Sequence, residues 1–259
     1  MKHDDVETRM RALEYFHALR ALPGAWLVIR VDGRSFSRLT QASFEKPFDQ
    51  RFHDIMLETS EALLDGLGGV YAYTESDEIS VLLPRQTSLF DREVEKLVSV
   101  SAGIASGSFS HAFGAPAHFD SRLWMAPDEQ DVFDYFRWRQ ADAARCALNG
   151  WCYWQLMKEG ATAEQATRAL HGKSAAQKNE LLFQRGVNFN DVPLWQRRGA
   201  GVSWERFEKT GTNPHTQEST VAVRRRIIRH EALPLNDDYD SFLRQTFAEA
   251  SQWSGGVRR

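Results

Sequence analysis

Apolar positions along the first part of the chain switch between two spacings, which predicts an alternation of strands and helices. Nearly continuous or alternating apolar runs predict strands at residues 25–32, 70–73, 79–83 and 119–125. Apolar residues at helical spacing predict helices at residues 4–20, 47–67, 91–113 and 132–158. The polar stretch at residues 35–46 is predicted to be irregular.

The order of these elements predicts a sheet topology. From residue 25 it is strand, helix, strand, strand, helix, strand, which is typical of a ferredoxin-like α+β fold with an antiparallel sheet and both helices on one face. In that fold the first and third strands are neighbours in the centre of the sheet. The end of the first strand, at Asp32, is therefore expected beside the turn into the third strand, at Asp77 and Glu78.

The sequence changes character after residue 158. Capping boxes at residues 162–165 and 174–177 predict the starts of two short helices. We therefore divide the chain into an α+β domain at residues 1–158 and a mainly helical, basic C-terminal part at residues 159–259 that packs on it.

Charge restricts the function classes that are open to the chain. A net charge of −3 over 259 residues excludes an overall polycationic nucleic-acid binder but allows a local basic face. Residues 195–230 are the candidate, since they hold eight Arg or Lys against three Glu. The three arginines at residues 224–226 are flanked by apolar residues, which fits either an edge strand or a helix with a phosphate-binding face.

Cysteine usage and the lack of long apolar segments predict the compartment. Cys146 and Cys152 are six residues apart on one predicted helix, so they cannot bridge each other, and they form no zinc motif. No apolar run reaches the ~18 residues of a membrane span, and the first residues lack the apolar core of a signal peptide. We expect a cytoplasmic protein with no membrane partner.

The acidic residues that the topology brings together predict metal chemistry. Mg²⁺ prefers hard oxygen ligands and shares its coordination shell with substrate phosphates. Asp32, Asp77 and Glu78 are therefore predicted to be catalytic in metal-dependent phosphoryl or nucleotidyl transfer, in which two ions activate the attacking oxygen and stabilise the leaving one. Considered singly, Asp32-Gly33 is also a common turn dipeptide and residues 76–78 an ordinary hairpin tip.

Groups that bind phosphate are predicted around this metal site. The backbone N–H groups of residues 33–37 follow the strand directly and are candidates to cradle phosphates, with the Arg34 side chain nearby. Lys46, Arg92 and Lys96 are candidates to neutralise a triphosphate, and the last two are predicted to share one helix face. The alternative for residues 33–37 is a solvated loop, and the alternative for the three cations is a solvated charged face.

Cationic and amide side chains with aromatic neighbours predict an RNA-contacting surface. The alternative is a set of surface salt bridges. The candidates for RNA contact are Arg137, Arg139, Lys178, Asn179, Arg197 and Arg198.

Seven motifs stand in a fixed order along the chain. They are Asp32-Gly33-Arg34-Ser35-Phe36, Phe44-Glu45-Lys46-Pro47-Phe48-Asp49, Ser76-Asp77-Glu78-Ile79-Ser80, Phe119-Asp120-Ser121-Arg122, Trp138-Arg139-Gln140-Ala141-Asp142, Lys178-Asn179-Glu180 and Val187-Asn188-Phe189-Asn190. Together they resemble the tRNA-His guanylyltransferase superfamily, the 3′–5′ nucleotide polymerases, over about residues 5–200. The resemblance implies a polymerase-like palm at residues 1–158 and a homotetramer assembled as a dimer of dimers.

The resemblance also implies a reaction and a role for each matching residue. ATP or GTP would activate the 5′-monophosphate of a tRNA, and the 3′-hydroxyl of an incoming NTP would then attack the activated end. Two Mg²⁺ ions would be bound by Asp32, the Gly33 carbonyl and Asp77, with Glu78 in the same acidic motif. The residues that would border the nucleotide or its triphosphate are Gly33, Arg34, Ser35, Phe36, Ser37, Lys46, Ser76, Arg92 and Lys96.

Two departures from the family pattern indicate a branch. Members that add the extra guanosine to tRNA-His carry His-Ile-Asn-Asn where this chain has Ala144-Arg145-Cys146-Ala147, and Ser37 stands where many members have histidine. Both point to the bacterial and archaeal like-protein branch, which resembles enzymes that repair 5′-truncated tRNAs by templated addition. The alternatives are a tRNA-His guanylyltransferase and a palm-derived nucleotide- or RNA-binding module without catalysis.

Overall fold

The computed structural model describes residues 3–212 and 219–251, which fold around one antiparallel sheet. The α-helices of these residues are α1 (His3–Arg11), α2 (Phe36–Ser43), α3 (Gln50–Gly66), α4 (Val94–Phe113), α5 (Glu129–Lys158), α6 (Ala163–Leu170), α7 (Ala175–Phe183), α8 (Leu194–Arg198) and α9 (Asn236–Ser251). The strands are β1 (Trp26–Gly33), β2 (Tyr71–Glu75), β3 (Glu78–Leu82), β4 (Phe119–Ala126), β5 (Ala200–Thr212) and β6 (Ser219–His230). Short 3-10 helices cover Leu89–Arg92 and Phe189–Asp191.

The strand order is β4-β1-β3-β2-β5-β6, with every neighbouring pair antiparallel. The first four strands have the ferredoxin-like arrangement that the sequence predicts, so the fold class is confirmed. The strands β1 and β3 are neighbours inside the sheet, and their register places Asp32 opposite Glu78. The backbone alone thus brings two of the predicted acidic residues to one edge of the sheet.

Helices cover both faces of the sheet, which explains why β1 is apolar along most of its length. Leu27, Ile29 and Val31 are fully buried in a core that they share with α3 and α4. Val28 faces the other side, where it packs with residues of α5 and α9. The predicted pair of helices on one face is therefore α3 and α4, and α5 with α9 forms a second layer.

Two stretches before residue 50 differ from the prediction. The first helix ends at Arg11, and the apolar side chains of Leu13, Phe16 and Leu19 beyond it are exposed. Short amphipathic helices are marginal unless their apolar face is packed, which explains the early end. The stretch predicted to be irregular contains α2, because the buried Phe36 anchors its start in the core.

The C-terminal part contains both predicted capping boxes and adds a long hairpin. Thr162 and Ser174 each accept a hydrogen bond from the third N–H of the helix that follows, α6 and α7. The arginines at residues 224–226 lie in β6 at the edge of the sheet, so the edge-strand alternative is the right one. Because β5 pairs with β2, the sheet continues across residue 158, and the domain division at that residue stays a prediction.

The long helix α5 carries both cysteines of the chain, and both are free thiols. Cys152 is buried, and its sulfur donates to the carbonyl of Lys178 at 3.4 Å, which ties α5 to α7. The Lys178 side chain itself is half-exposed. In the part of the chain that the structure describes, every helix is too short or too polar to cross a membrane.

Leu243 tests the packing of α9 on the sheet, since its side chain is fully buried there. We expect Leu243→Ala to lower the free energy of unfolding by about 2–4 kcal/mol, because lost burial is compounded by a cavity. Urea unfolding followed by circular dichroism measures the change. The control Gln245→Ala alters an exposed side chain of the same helix and should stay within about 0.5 kcal/mol. Equal effects of the two substitutions would contradict the packing.

Candidate active site

A two-residue turn joins β2 to β3 and carries the acidic motif. The strand β2 ends at Glu75 and β3 begins at Glu78, so Ser76 and Asp77 form the turn. Ser76 adopts a left-handed backbone conformation, with φ 49°, as tight hairpin turns often require. The Gly33 N–H donates to the Asp77 carbonyl at 3.0 Å. A backbone hydrogen bond therefore holds the end of β1 against the turn.

Asp32 and Asp77 interact through their charges. Burial and, after it, the negative charge of Asp32 raise the pKa of Asp77, while the Ser76 hydroxyl donates to Asp77 Oδ1 at 3.0 Å. Arg122 Nη2 lies 3.8 Å from Asp32 Oδ2, but both side chains are about half exposed, so this ion pair contributes little. A divalent cation between the two carboxylates would replace their repulsion by attraction.

The donors at this position fit Mg²⁺. Two carboxylates and the Gly33 carbonyl beside Asp32 are hard oxygen ligands, and Mg²⁺ commonly takes one or two carboxylates together with substrate phosphates and water. No group of three or more His, Cys, Asp and Glu side chains in residues 3–212 and 219–251 is arranged to hold a metal ion. The candidate metal site is therefore open: it offers two carboxylates, and substrate phosphates would complete the coordination of the ion.

Glu78 places its carboxylate between two arginines. Its Oε1 lies 2.7 Å from Arg139 Nε, and its Oε2 lies 3.5 Å from Arg30 Nε. Burial raises the pKa of Glu78, and the two arginines oppose that rise. Two arginines thus compensate the charge of Glu78 within the chain, and its predicted catalytic role stays a prediction.

A cavity of about 440 Å³ opens beside this turn and is called the nucleotide cavity below. Five of the predicted nucleotide-binding or metal residues line it together: Phe36, Ser37, Lys46, Ser76 and Asp77. Its aromatic wall consists of Phe36, Phe44, Phe48, Phe52, Tyr153, Trp154 and Trp195. The volume suits a small ligand, and aromatic rings give stacking surfaces to a base.

Lys46 is a cation inside the nucleotide cavity. Its Nζ donates to Thr40 Oγ1 at 2.6 Å and lies 5.8 Å from the centroid of the Trp154 ring. Burial lowers the pKa of Lys46, and the negative charges of Asp77 and Asp49 oppose that shift. A triphosphate beside this ammonium would offset the cost of its burial through charge-assisted hydrogen bonds.

The loop after β1 already uses some of the N–H groups predicted to bind phosphate. The Gly33 N–H is bonded to Asp77, and the Arg34 N–H donates to the His118 carbonyl at 2.8 Å. That part of the prediction is corrected. The N–H groups that follow belong to the first turn of α2, and the N-terminus of a helix favours anions. Ser37 in that turn lines the nucleotide cavity.

Ser35 and Phe36 have structural roles in the same loop. Ser35 precedes α2 with a left-handed backbone conformation, φ 63°. The Phe36 ring is 1% exposed and packs against Phe109 and Phe119, with centroid distances of 4.9 and 4.8 Å. The Phe36 ring belongs mainly to the core although Phe36 also lines the nucleotide cavity, and its predicted contact with a nucleotide stays a prediction.

Arg92 and Lys96 lie away from the nucleotide cavity. The Arg92 guanidinium is buried and donates to the carbonyls of Ala21, Leu22 and Ala25, before β1 begins. This position is at the opposite end of β1 from Asp32. Arg92 also precedes α4 with φ 60°, so it does not share a helix face with Lys96.

The prediction that Arg92 binds a triphosphate is corrected, because its hydrogen bonds go to the backbone of its own chain. Lys96 is exposed in the first turn of α4, where its Nζ lies 3.4 Å from Glu93 Oε2. Binding of a triphosphate by Lys96 stays a prediction. Within one chain, Lys96 does not line the cavity that contains Lys46.

A second cavity, of about 420 Å³, collects three of the predicted RNA residues. Asn179, Arg197 and Arg198 line it together with Asn188 and Asn190. Both guanidiniums donate to backbone carbonyls, which fixes their positions but leaves their charge uncompensated by those neutral acceptors. Amide and guanidinium groups arranged in this way suit a phosphate backbone.

Arg137 and Arg139 direct their charges into the protein. Arg137 pairs with Asp240 of α9 at 2.5 Å, although its side chain remains 36% exposed. Arg139 is 6% exposed and pairs with Glu75 at 2.5 Å and with Glu78 at 2.7 Å. The predicted RNA contact of Arg139 is corrected, because a buried guanidinium bound to carboxylates does not reach RNA.

Sequence reasoning missed two kinds of site residue. Trp154 and Trp195 line the nucleotide cavity but were not predicted. For Trp154 the signal is its spacing, because Cys146, Gly150 and Trp154 recur every four residues of α5 and all line the cavity. Glu75 was also missed, since one more acidic residue at a hairpin has no distinctive pattern in the sequence.

Comparison with known families covers most of the chain. Residues 7–127 match the family described as tRNAHis guanylyltransferase, and residues 130–240 match the Thg1 C terminal domain. A Drosophila melanogaster relative named probable tRNA(His) guanylyltransferase is 33% identical over 235 residues, which cover 84% of this chain and 75% of the relative. A Neurospora crassa relative named tRNA(His) guanylyltransferase is 33% identical over 196 residues, 70% of this chain and 67% of the relative.

Solved structures share the architecture. The tRNA(His) guanylyltransferase of Saccharomyces cerevisiae superimposes with a TM-score of 0.69 at 27% identity, covering 74% of this chain and 91% of the yeast chain. A bacterial tRNA(His) guanylyltransferase (Thg1)-like protein in complex with GTP gives a TM-score of 0.74 at 25% identity, covering 94% of this chain and 99% of the bacterial chain. A bacterial tRNA(His) guanylyltransferase (Thg1)-like protein in complex with ATP gives a TM-score of 0.74 at 25% identity, covering 93% of this chain and 98% of the bacterial chain.

Gly33 tests the close packing at the end of β1. A Cβ at this position would overlap the Phe36 ring, with Cδ2 at 2.5 Å. We expect Gly33→Ala to lower the free energy of unfolding by about 1–3 kcal/mol, as overpacking of a core does. Thermal unfolding measures this effect.

The matched control for Gly33 is Gly107→Ala in α4, where an added Cβ meets open space. That substitution should raise the stability by about 0.5–1 kcal/mol, because alanine is the better helix former. An unchanged melting temperature for Gly33→Ala would refute the close packing of Phe36 on the metal-binding segment.

Proposed function

We propose that this chain, which belongs to the tRNAHis guanylyltransferase family and is thus a nucleotidyltransferase, adds nucleotides to tRNA 5′ ends in the 3′–5′ direction with two Mg²⁺ ions. The observation that carries the proposal is the convergence of Asp32 and Asp77 at the β2–β3 turn, where Asp77 lines the nucleotide cavity together with Lys46. Paired carboxylates beside a cation and an aromatic wall suit a nucleoside triphosphate and the metal that accompanies it.

The proposed reaction has two nucleotidyl-transfer steps. In the first, an oxygen of the tRNA 5′-monophosphate bonds to the α-phosphorus of ATP or GTP, and pyrophosphate leaves. In the second, the 3′-oxygen of the incoming NTP bonds to the 5′-phosphorus of the tRNA, and the activating nucleotide leaves as its monophosphate. Both steps build negative charge on phosphoryl oxygens, so positioning and electrostatic stabilisation carry most of the catalysis.

The residues of the chain divide this work. Asp32, Asp77 and the Gly33 carbonyl would hold the Mg²⁺ ions, which supply activation of the attacking oxygen and stabilisation of the leaving one. Lys46 would neutralise the triphosphate, and the first turn of α2 would offer N–H groups to it. The rings of Trp154 and Trp195 would exclude water and stack on the base.

We favour tRNA repair over maturation of tRNA-His. Ala144 stands where the resemblance places the histidine of His-Ile-Asn-Asn, and Ala144 lines the second cavity beside Asn179 and Asn188. An alanine there offers no side-chain donor or acceptor for base recognition. The match to the bacterial like protein along 94% of this chain supports the same branch. The alternative, a tRNA-His guanylyltransferase, is supported by the names of the relatives.

A homotetramer and a cytoplasmic location also remain proposals. The exposed side chains of Leu13, Tyr15, Phe16 and Leu19 offer an apolar surface for subunit contact. Lys96 would need a neighbouring subunit to approach a triphosphate bound at Lys46, because it lies at the other end of the sheet. Light scattering of the purified chain measures the assembly.

The substrate class is tested with transcripts of a tRNA other than tRNA-His that lack the first 5′ nucleotide. With ATP, GTP, CTP, UTP and Mg²⁺, we expect addition of the nucleotide that pairs with the opposite acceptor strand. Sequencing of the product ends measures it. Addition of G to tRNA-His alone, with no templated repair, would establish the alternative function instead.

Asp77→Asn tests the metal assignment while keeping the size of the side chain. We expect the rate of nucleotide addition to fall by about 10³-fold or more, because metal ions supply several kcal/mol and each ~1.4 kcal/mol is a factor of ten. Single-turnover kinetics measure the rate, and tRNA affinity should be preserved. The control Asp65→Asn changes an exposed carboxylate of α3 and should leave the rate unchanged. Full activity of the Asp77 variant would refute the metal site.

A further inference from the structure

Arg139 of α5 is a buried cation beneath the β2–β3 turn. Its Nη2 lies 2.5 Å from Glu75 Oε1, its Nε lies 2.7 Å from Glu78 Oε1, and Nη2 also lies 3.2 Å from Asp142 Oδ2. Arg139 and Glu75 side chains are each 8% exposed. One guanidinium therefore contacts both residues that flank Ser76 and Asp77.

The two glutamates need this cation. Glu75 and Glu78 are directly opposite each other in the β2–β3 register, and like charges in that position destabilise a strand pair. The side chains of Glu75 and Glu78 are only 8% and 14% exposed. Without the guanidinium, two carboxyl groups would face each other out of water, and a charge left buried and unpaired is strongly destabilising.

The position of Arg139 is itself fixed from two sides. Asp142, one turn further along α5, accepts from its Nη2, and the Trp138 ring centroid lies 4.6 Å from its Cζ. Asp142 also pairs with Arg145, whose side chain is exposed at the surface. A planar guanidinium anchored in this way can bind two carboxylates in a fixed geometry, which a lysine ammonium does not reproduce.

The turn held by Arg139 is the one that presents Asp77. A shift of Glu75 or Glu78 would move a turn of only two residues, and with it the Asp77 carboxylate and the carbonyl that accepts from Gly33. Groups behind metal ligands orient those ligands and tune their affinity. Arg139 reaches Asp77 only through the two glutamates, so it acts without touching the metal or the RNA.

We propose that Arg139 is a positioning residue that clamps Glu75 and Glu78 and thereby sets the geometry of the Asp77 metal site. The proposal rests on the proposed function, in which Asp77 binds a divalent ion. It replaces an RNA contact by an internal structural role for this arginine.

The experiment compares the wild-type chain with Arg139→Gln in two binding measurements. Electron paramagnetic resonance follows the binding of Mn²⁺, and fluorescence anisotropy follows the binding of a 5′-truncated tRNA without divalent ions. We expect the Mn²⁺ affinity to fall by about 10- to 100-fold, the usual effect of losing a group behind a metal ligand, and the tRNA affinity to stay within about twofold. The Mg²⁺ concentration for half-maximal nucleotide addition should rise in parallel.

Two further variants separate positioning from a general loss of structure. Arg145→Gln removes an exposed partner of Asp142 and should leave Mn²⁺ affinity unchanged. Arg139→Gln combined with Glu75→Gln removes both partners of one ion pair and should recover part of the Mn²⁺ affinity, because fewer buried charges remain unpaired. If Arg139→Gln does not fold, Arg139→Lys decides the matter, and it should show a smaller loss of Mn²⁺ affinity.

Unchanged Mn²⁺ affinity in Arg139→Gln, or in Arg139→Lys where that variant decides, would overturn the proposal. A loss of tRNA affinity with normal Mn²⁺ binding would overturn it as well and would establish an RNA contact. A wild-type chain that binds Mn²⁺ through Asp77 but adds no nucleotide to any tRNA would refute the proposed function alone. The positioning role would then stand on the Mn²⁺ measurements.

Discussion

One backbone hydrogen bond, from the Gly33 N–H to the Asp77 carbonyl at 3.0 Å, holds the end of β1 against the β2–β3 turn. It exists because the ferredoxin-like order makes β1 and β3 antiparallel neighbours. The carboxylates of Asp32 and Asp77 therefore meet through the topology of the sheet, without any long-range side-chain contact. The nucleotide cavity opens at this same turn, so the chemistry of the site depends on the pairing of two strands.

That pairing concentrates negative charge, and the chain compensates it on one side. Glu75 and Glu78 are paired with Arg139 within the protein, and Arg30 adds a second cation to Glu78. Asp32 has a weaker partner, because the exposed Arg122 gives its carboxylate little compensation. The ion pairs of the two glutamates tie the turn to α5 and β1, whereas the carboxylates of Asp32 and Asp77 are available to a cation and the phosphates that come with it. This difference in charge compensation is the reason why we place the metal ions at Asp32 and Asp77 and not at the two glutamates.

The sequence predicted the fold well where hydrophobic spacing and topology decide the structure. The four strands and the approach of Asp32 to Asp77 follow from such patterns. The errors arise where a local pattern has two outcomes. Arg139 lies in a motif of charged and aromatic residues that fits an RNA surface or a buried ion pair equally well, and Arg92 precedes its helix in a left-handed conformation that helical spacing does not predict. In each case tertiary packing, and not local preference, selects the outcome.

In the proposed function, Asp32 and Asp77 share divalent ions with a triphosphate in the nucleotide cavity. Crystals grown with Mn²⁺ and a non-hydrolysable GTP analogue test this arrangement through the anomalous scattering of manganese. We expect anomalous peaks between the two carboxylates and the Gly33 carbonyl, with the triphosphate within reach of Lys46. Manganese and triphosphate bound elsewhere, for example at the Arg92 end of the sheet, with no peak at Asp77, would contradict it.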